Sequence, residues 1–189
     1  MSTLGTLLAE LAARGPERPA LTCAGRTLTF GELDDRSSQV AHALVRDGVR
    51  PGDRIAVLTK NRPEYFELMF GAARARAVLV GLNWRLAAPE IAAIADDAEP
   101  AAVFAGKDQR ELLPPTLRDR AIDLDGGYEA WIADLPTAAP DTGARADDVV
   151  LQLYSSGTTG LPKGARLTSA NLLYTPGWAG RPTGWARTA

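Results

Sequence analysis

The densest run of side chains able to do chemistry lies between residues 155 and 164, which read Ser-Ser-Gly-Thr-Thr-Gly-Leu-Pro-Lys-Gly. Ser155, Ser156, Thr158 and Thr159 supply hydroxyl donors. Lys163 supplies a flexible point charge that can follow a phosphoryl oxygen as its charge changes during reaction. Gly157, Gly160 and Gly164 lack a Cβ, so the backbone can take positive φ and bring N–H groups close to an anion. Together these parts suit a polyphosphate. The plain alternative is a surface loop between strands whose glycines only permit a turn; the lysine and the apolar strand that leads into the loop weigh against it. The spacing is not that of the common P-loop, which needs Gly-Lys followed by Ser or Thr, because Lys163 follows Pro162 and precedes Gly164.

A loop of this kind needs a rigid frame, and the upstream chain is patterned to build one. Val149 to Tyr154 reads as the strand that feeds the loop. Before it, Ile55 to Leu58, Ala77 to Leu82 and Ala101 to Ala105 are short, continuously apolar runs of the sort buried on both faces of a sheet. Helical patterns alternate with them: Asn61-Arg62-Pro63-Glu64 opens a helix with Asn61 as the capping residue, and Pro89 to Asp97 forms another. An irregular helical stretch runs to about Arg120, a strand follows at Ile122 to Leu124, and Tyr128 to Leu135 reads as helix. At the front, leucines 4, 7, 8 and 11 recur at helical spacing, and two extended pieces flank Ala24-Gly25 as a hairpin. Thr29-Phe30-Gly31-Glu32 has the form of a capping box; it starts a helix whose apolar face comprises Leu33, Ser37, Val40, Ala41, Leu44 and Val45 and which stops at Gly48. Alternating strands and helices predict an α/β fold, a three-layer arrangement with a largely parallel sheet and helices on both faces. Pro136 to Ala146, without periodicity, reads as a linker or surface loop.

Composition narrows the function classes. Lys and Arg number 21 against 23 Asp and Glu, a net charge of −2, so no long-range field draws the chain to nucleic acid. No apolar run approaches the roughly 20 residues of a transmembrane helix, and no secretory signal is read at the start, which makes the cytoplasm the expected location. One Cys and one His cannot build an ordinary zinc site. His42 is expected to be packed or exposed and Cys23 to be structural. Asp34-Asp35, Asp96-Asp97 and Asp147-Asp148 are expected at solvated helix ends or loop caps. Trp84, Trp131, Tyr65 and Phe66 are expected to pack the core or the domain edge, and Arg74-Ala75-Arg76 to lie on the surface.

The run Tyr154-Ser155-Ser156-Gly157-Thr158-Thr159-Gly160-Leu161-Pro162-Lys163-Gly164 resembles the phosphate-loop signature of the adenylate-forming (AMP-binding) enzymes, which include acid–CoA ligases, peptide-synthetase adenylation domains and luciferases. Gly48 to Val57, Asn61 to Phe70 and Ala77 to Leu86 are similar to further segments of that family, and the resemblance covers roughly Leu4 to Leu173. It is strongest towards long-chain and fatty-acid–CoA ligases. The resemblance implies ATP, Mg²⁺ and CoA as cofactor and cosubstrates, with a small-molecule carboxylic acid as the partner that is activated. It implies that Ser155, Ser156, Gly157, Thr158, Thr159, Gly160, Lys163 and Gly164 hold the phosphates, that Thr158 contacts Mg²⁺, and that Lys163 is the catalytic residue steadying the leaving pyrophosphate.

On that resemblance residues 1–174 correspond to the first part of the family's large N-terminal domain. Residues 175–189 lack Leu, Ile, Val, Asp, Glu and Lys and are expected to be a non-matching tail, frameshifted, or disordered as a linker. The family's adenine, ribose and second-lysine elements and its C-terminal domain lie downstream of the matched segments. The 189 residues alone are therefore expected to be inactive, the alternative reading being a non-catalytic remnant or a module that binds only nucleotide phosphates.

Overall fold

A computed structural model describes residues 2–155 and 162–173. The chain opens with helix α1 (Leu4–Arg14), then the hairpin β1 (Pro19–Cys23) and β2 (Arg26–Thr29). Ala24 (φ 49°) and Gly25 (φ 80°) are both left-handed, the geometry that lets a two-residue turn match the twist of its strands. Helix α2 (Phe30–Arg46) begins at the expected capping box: the Glu32 N–H donates to the Thr29 hydroxyl at 3.2 Å, and the Thr29 N–H donates to the Glu32 carboxylate at 2.8 Å. Gly48, at φ 84°, follows its end.

The central sheet is built from β3 (Arg54–Leu58), β4 (Val78–Leu82), β5 (Ala102–Ala105), β6 (Ile122–Asp123), β7 (Val149–Ser155) and β8 (Lys163–Thr168). Its order is β6-β5-β3-β4-β7-β8; all neighbours are parallel except the β7/β8 pair. Helices α3 (Pro63–Arg74) and α4 (Ala88–Ala98) make successive crossovers. The first steps from β3 outward to β4, and the second jumps back past β3 to β5. Right-handed crossovers running in opposite directions must put their helices on opposite faces, and the cores show that they do. Ile55, Val57, Leu79 and Phe104 pack against α2, α3 and α6 (Tyr128–Ile132). The alternate residues Ala56, Leu58, Val80 and Val103 pack against Ile91 and Ile94 of α4. The α/β parallel-sheet expectation holds, with helices on both faces. The irregular stretch before β6 resolves into a 3-10 turn at Arg110–Leu112 and the short helix α5 (Pro115–Arg118), and α7 (Ser169–Leu173) follows β8.

Several expectations are corrected. Asn61 does not cap α3: the N-cap is Arg62, in extended conformation (φ −157°, ψ 159°) without a side-chain cap bond, because the following Pro63 excludes the helical region for it. The Arg62 guanidinium instead reaches Glu64 (2.6 Å), Asp125 (2.9 Å) and the Leu124 carbonyl (2.8 Å). Val45 is half exposed, as the buried stripe of α2 ends at Leu44. Arg74 and Ala75 are buried rather than on the surface. The Arg74 guanidinium pairs with the Asp34 carboxylate and donates to the Ser38 hydroxyl at 2.6 Å, joining α2 to α3, so Asp34 is not a merely solvated acid. Arg76 grips Asp148 through two 2.9 Å bonds. Residues 136–146 are irregular, yet the segment is held down: the His42 ring bonds the Ala138 carbonyl at 2.9 Å, and Thr142 donates to the Arg74 carbonyl.

One buried polar knot ties three helices beneath the sheet. Glu67 of α3, fully buried, accepts from Arg36 Nε of α2 and from the Tyr128 hydroxyl of α6, each at 2.8 Å. Burial, with Glu67 beside it, pushes the Tyr128 hydroxyl well above its ordinary range. Trp131 lies edge-on to Phe104 at 5.0 Å, whereas Phe66 is exposed.

Candidate phosphate-binding site

Parallel strands present all their carboxyl ends along one edge, and β8, running the other way, begins where β7 ends. The register places Ser155 opposite Lys163 and Tyr154 opposite Gly164. Directly opposed residues share a face, so the Ser155 hydroxyl and the Lys163 ammonium leave the ribbon on the same side, both exposed. They stand at the edge where open parallel sheets bind their ligands. Of the residues singled out from sequence, the structure therefore brings Ser155, Lys163 and Gly164 together at the strand ends. Ser156, Gly157, Thr158, Thr159 and Gly160 lie outside the described residues.

Gly164 has a different physical reason from the one its sequence suggests. It is not among the positive-φ glycines. A Cβ there would stand 2.7 Å from Gln152 Nε2 and 3.1 Å from Tyr154 Cζ, so the small residue permits a close approach of β8 to these two side chains. Gln152, buried, donates from Nε2 to the Tyr154 hydroxyl at 2.6 Å, and that hydroxyl donates to the Asp97 carboxylate of α4. Partial burial, the Asp97 bond and its negative charge push the Tyr154 hydroxyl up to about 12. Sequence reading missed Asp97 and Gln152 as members of the site. No local signal marks either, because their partnership is made across the sheet.

Further along the same edge a cleft of about 370 Å³ opens between the ends of β3 and β5, lined among others by Thr59, Lys60, Arg62, Lys107 and Gln109. Trp84, after β4, carries the Arg85 guanidinium 4.4 Å and the Lys60 ammonium 5.3 Å from its ring centre. The cleft carries Lys60, Arg62 and Lys107 but also Asp108 and Asp125, and Arg62 is already paired with Asp125 at 2.9 Å, so it is a polar, charge-mixed surface beside the strand ends. Among the described residues no three His, Cys, Asp or Glu side chains gather as a metal cage. A Mg²⁺ carried by phosphate oxygens and water needs no such cage, so the hydroxyl and ammonium donors present fit a metal–polyphosphate.

The AMP-binding enzyme family matches residues 8–186 of the sequence. The chain belongs to the AMP-binding enzymes. Among curated AMP-binding relatives, the fatty acid–[acyl-carrier-protein] ligase ScoC of Streptomyces coeruleorubidus is 41% identical over 156 residues, covering 80% of this chain and 30% of that protein. A feruloyl-CoA synthase of Amycolatopsis is 36% identical over 171 residues, 90% of this chain and 34% of that one. The chain thus spans about a third of the length of these relatives. Among solved AMP-binding structures, a putative long-chain-fatty-acid CoA ligase from Rhodopseudomonas palustris superposes with a TM-score of 0.82 at 32% identity, over 91% of this chain and 46% of that one. The N-terminal domain of FACL13 from Mycobacterium tuberculosis gives 0.81 at 29%, over 89% and 45%. The fold described above is accordingly part of the N-terminal domain of an adenylate-forming enzyme.

Proposed function

We propose that this chain is the phosphate-holding part of an ATP-dependent acid–CoA ligase that works in the cytoplasm on a carboxylic acid, most readily a fatty acid. The observation that carries the reading is the rung on which Ser155 faces Lys163 at the carboxyl edge of the sheet. In the reaction a substrate carboxylate oxygen attacks the α-phosphorus of ATP. The bond from that phosphorus to the bridging oxygen breaks, and the products are acyl-adenylate and pyrophosphate; a CoA thiol then displaces AMP. Negative charge grows on the departing pyrophosphate, which is where oriented amides, hydroxyls and the Lys163 ammonium lower the barrier. Lys163 holds the leaving group; Ser155, Ser156, Thr158 and Thr159 donate to the β- and γ-phosphates; Gly157 and Gly160 leave room for the backbone to close on them. When bound, Mg²⁺ neutralises phosphate charge, and Thr158 is the residue that would hold it. Residues 1–174 form the adenylating portion and 175–189 a compositionally distinct tail, although the family match itself runs to residue 186.

On this reading the part played by these 189 residues is to hold the phosphates, so their affinity for ATP by themselves is expected to be weak, on the order of millimolar, and turnover negligible. A second acceptor, the thiol of a carrier protein, is favoured by the 41% identity to a fatty acid–[acyl-carrier-protein] ligase. The decisive experiment replaces the matched third of ScoC by this chain and measures acid-dependent exchange of pyrophosphate into ATP. Lys163→Ala should lower kcat/KM by about 2–4 kcal/mol, roughly 30- to 1,000-fold. An unchanged rate removes Lys163 from the mechanism, and an active chimera then assayed with CoA and with carrier protein separates the two acceptors.

A further inference from the structure

The tip of the β7/β8 ribbon is poorly supported by the sheet. Strand β7 pairs with β4 only at Leu79↔Leu151 and Val80↔Gln152, and β8 pairs with β7 alone. From Leu153 outward the ribbon is therefore two-stranded, an arrangement marginal in water on its own. Its last rungs are nevertheless the ones that carry Ser155 and Lys163.

We infer that Asp97 is a positioning residue for the phosphate cradle, acting through Tyr154 to pin this ribbon tip onto α4; the inference rests on the function proposed above. Three observations support it. Tyr154, adjacent in sequence to Ser155, packs against the hydrophobic layer that contains Ile91 and Ile94, and its hydroxyl donates to the Asp97 carboxylate. Gln152 donates to the same hydroxyl from the buried side, which fixes the direction of the phenol proton towards Asp97. Asp97 also sits in the last turn of α4, where the negative end of the helix dipole disfavours a carboxylate. Gly164 completes the arrangement, since a Cβ there would stand 2.7 Å from Gln152 Nε2 and displace the amide that donates to the Tyr154 hydroxyl. The charged groups that face the phenol are Asp97 from α4 and Arg166 from β8.

The test uses the 189-residue chain with Mg-pyrophosphate as the probe, followed by ³¹P resonance titration. Asp97→Ala and Tyr154→Phe should each weaken binding roughly tenfold, the order expected for losing one charge-assisted hydrogen bond. The double variant should bind no more weakly than either single one, because both remove the same linkage. Asp97→Asn, which keeps an acceptor oxygen, should recover most of the affinity. A tyrosine absorbance signal that titrates high in the parent chain, and is absent from Tyr154→Phe, should fall towards 10 in Asp97→Ala. Affinity unchanged by Asp97→Ala, or losses that add in the double variant, would overturn the inference. Lys163→Ala separates the two levels: if it abolishes binding while Asp97→Ala does not, only the positioning role falls. If the parent chain fails to bind pyrophosphate, or Lys163→Ala binds as well as the parent, the function proposed above falls and this inference with it.

Discussion

Replacing Gly71 by alanine pushes a methyl group into the seam between α2 and α3, the two helices that support one face of the sheet. An ideal Cβ on Gly71 would lie 2.3 Å from Val40 Cγ1, 2.6 Å from Val40 Cβ and 2.9 Å from the Ser37 carbonyl oxygen. Carbon atoms pack at about 3.5–4.0 Å, so the helices must part by more than about 1 Å locally. Two of the three clashing atoms belong to the backbone or to a Cβ and cannot rotate away. We therefore place the overpacking cost at the upper end of its usual range, about 3 kcal/mol. Alanine regains about 1 kcal/mol of helix propensity over glycine, leaving a net loss of about 2 kcal/mol. For a chain of this size that is a fall in Tm of roughly 4–8 °C. Calorimetry on the parent and variant chains measures it directly. Val40→Ala supplies an internal control: it removes Cγ1 but leaves Val40's Cβ position and the Ser37 carbonyl in place, so the double variant should be no more stable than Gly71→Ala alone. A neutral or stabilising Gly71→Ala, or full rescue by Val40→Ala, would refute the close-packed seam.

Further expectations follow from single contacts. Tyr128→Phe removes one of two side-chain donors to the fully buried Glu67 and should cost about 1–3 kcal/mol in urea unfolding. Asn61→Ala should be within about 0.5 kcal/mol of the parent in the same assay, as an exposed residue that caps nothing, whereas Arg62→Ala should be clearly worse. Tyr154 is raised in the folded chain from 10.0 to about 12; its contribution to stability is complete below pH 10 and is lost as pH climbs towards 12. Tyr154→Phe should flatten that alkaline limb. Burial alone would raise the Asp148 carboxyl, but the Arg76 guanidinium and the Arg145 N–H outweigh it and hold the group below its ordinary value of 3.8. That stabilisation is present above pH 3.8 and disappears as pH falls through the lower folded value, so Asp148→Asn should shrink the acid dependence of unfolding measured from pH 5 downward.

The features legible in the sequence were those enforced by neighbours along the chain. The runs at 55–58, 77–82 and 101–105 announce strands because burial on both faces demands an unbroken apolar stretch, and they become β3, β4 and β5 within a residue or so. Thr29 and Glu32 announce a helix start because both halves of the capping box lie within one turn. Other features depend on distant partners. Nothing local tells that β5 lies beyond β3 rather than beside β4, that Arg74 finds Asp34 and Ser38 waiting in α2, or that His42 fastens the segment near Ala138. The candidate site divides in the same way. Residue types between 155 and 164 specify an affinity for phosphate, while the Asp97–Tyr154–Gln152 linkage that places Ser155 and Lys163 spans residues 57 apart in sequence.

Because Ser155 and Lys163 are clasped to each other on a single rung, the stretch between them enters and leaves the molecule through one gateway. Replacing residues 156–162 is therefore expected to leave the register of the other strands unchanged. For protein engineering this makes the segment an exchangeable cassette: loops from distant relatives can be spliced in at these two positions, and differences in nucleotide handling then belong to the insert rather than to the frame.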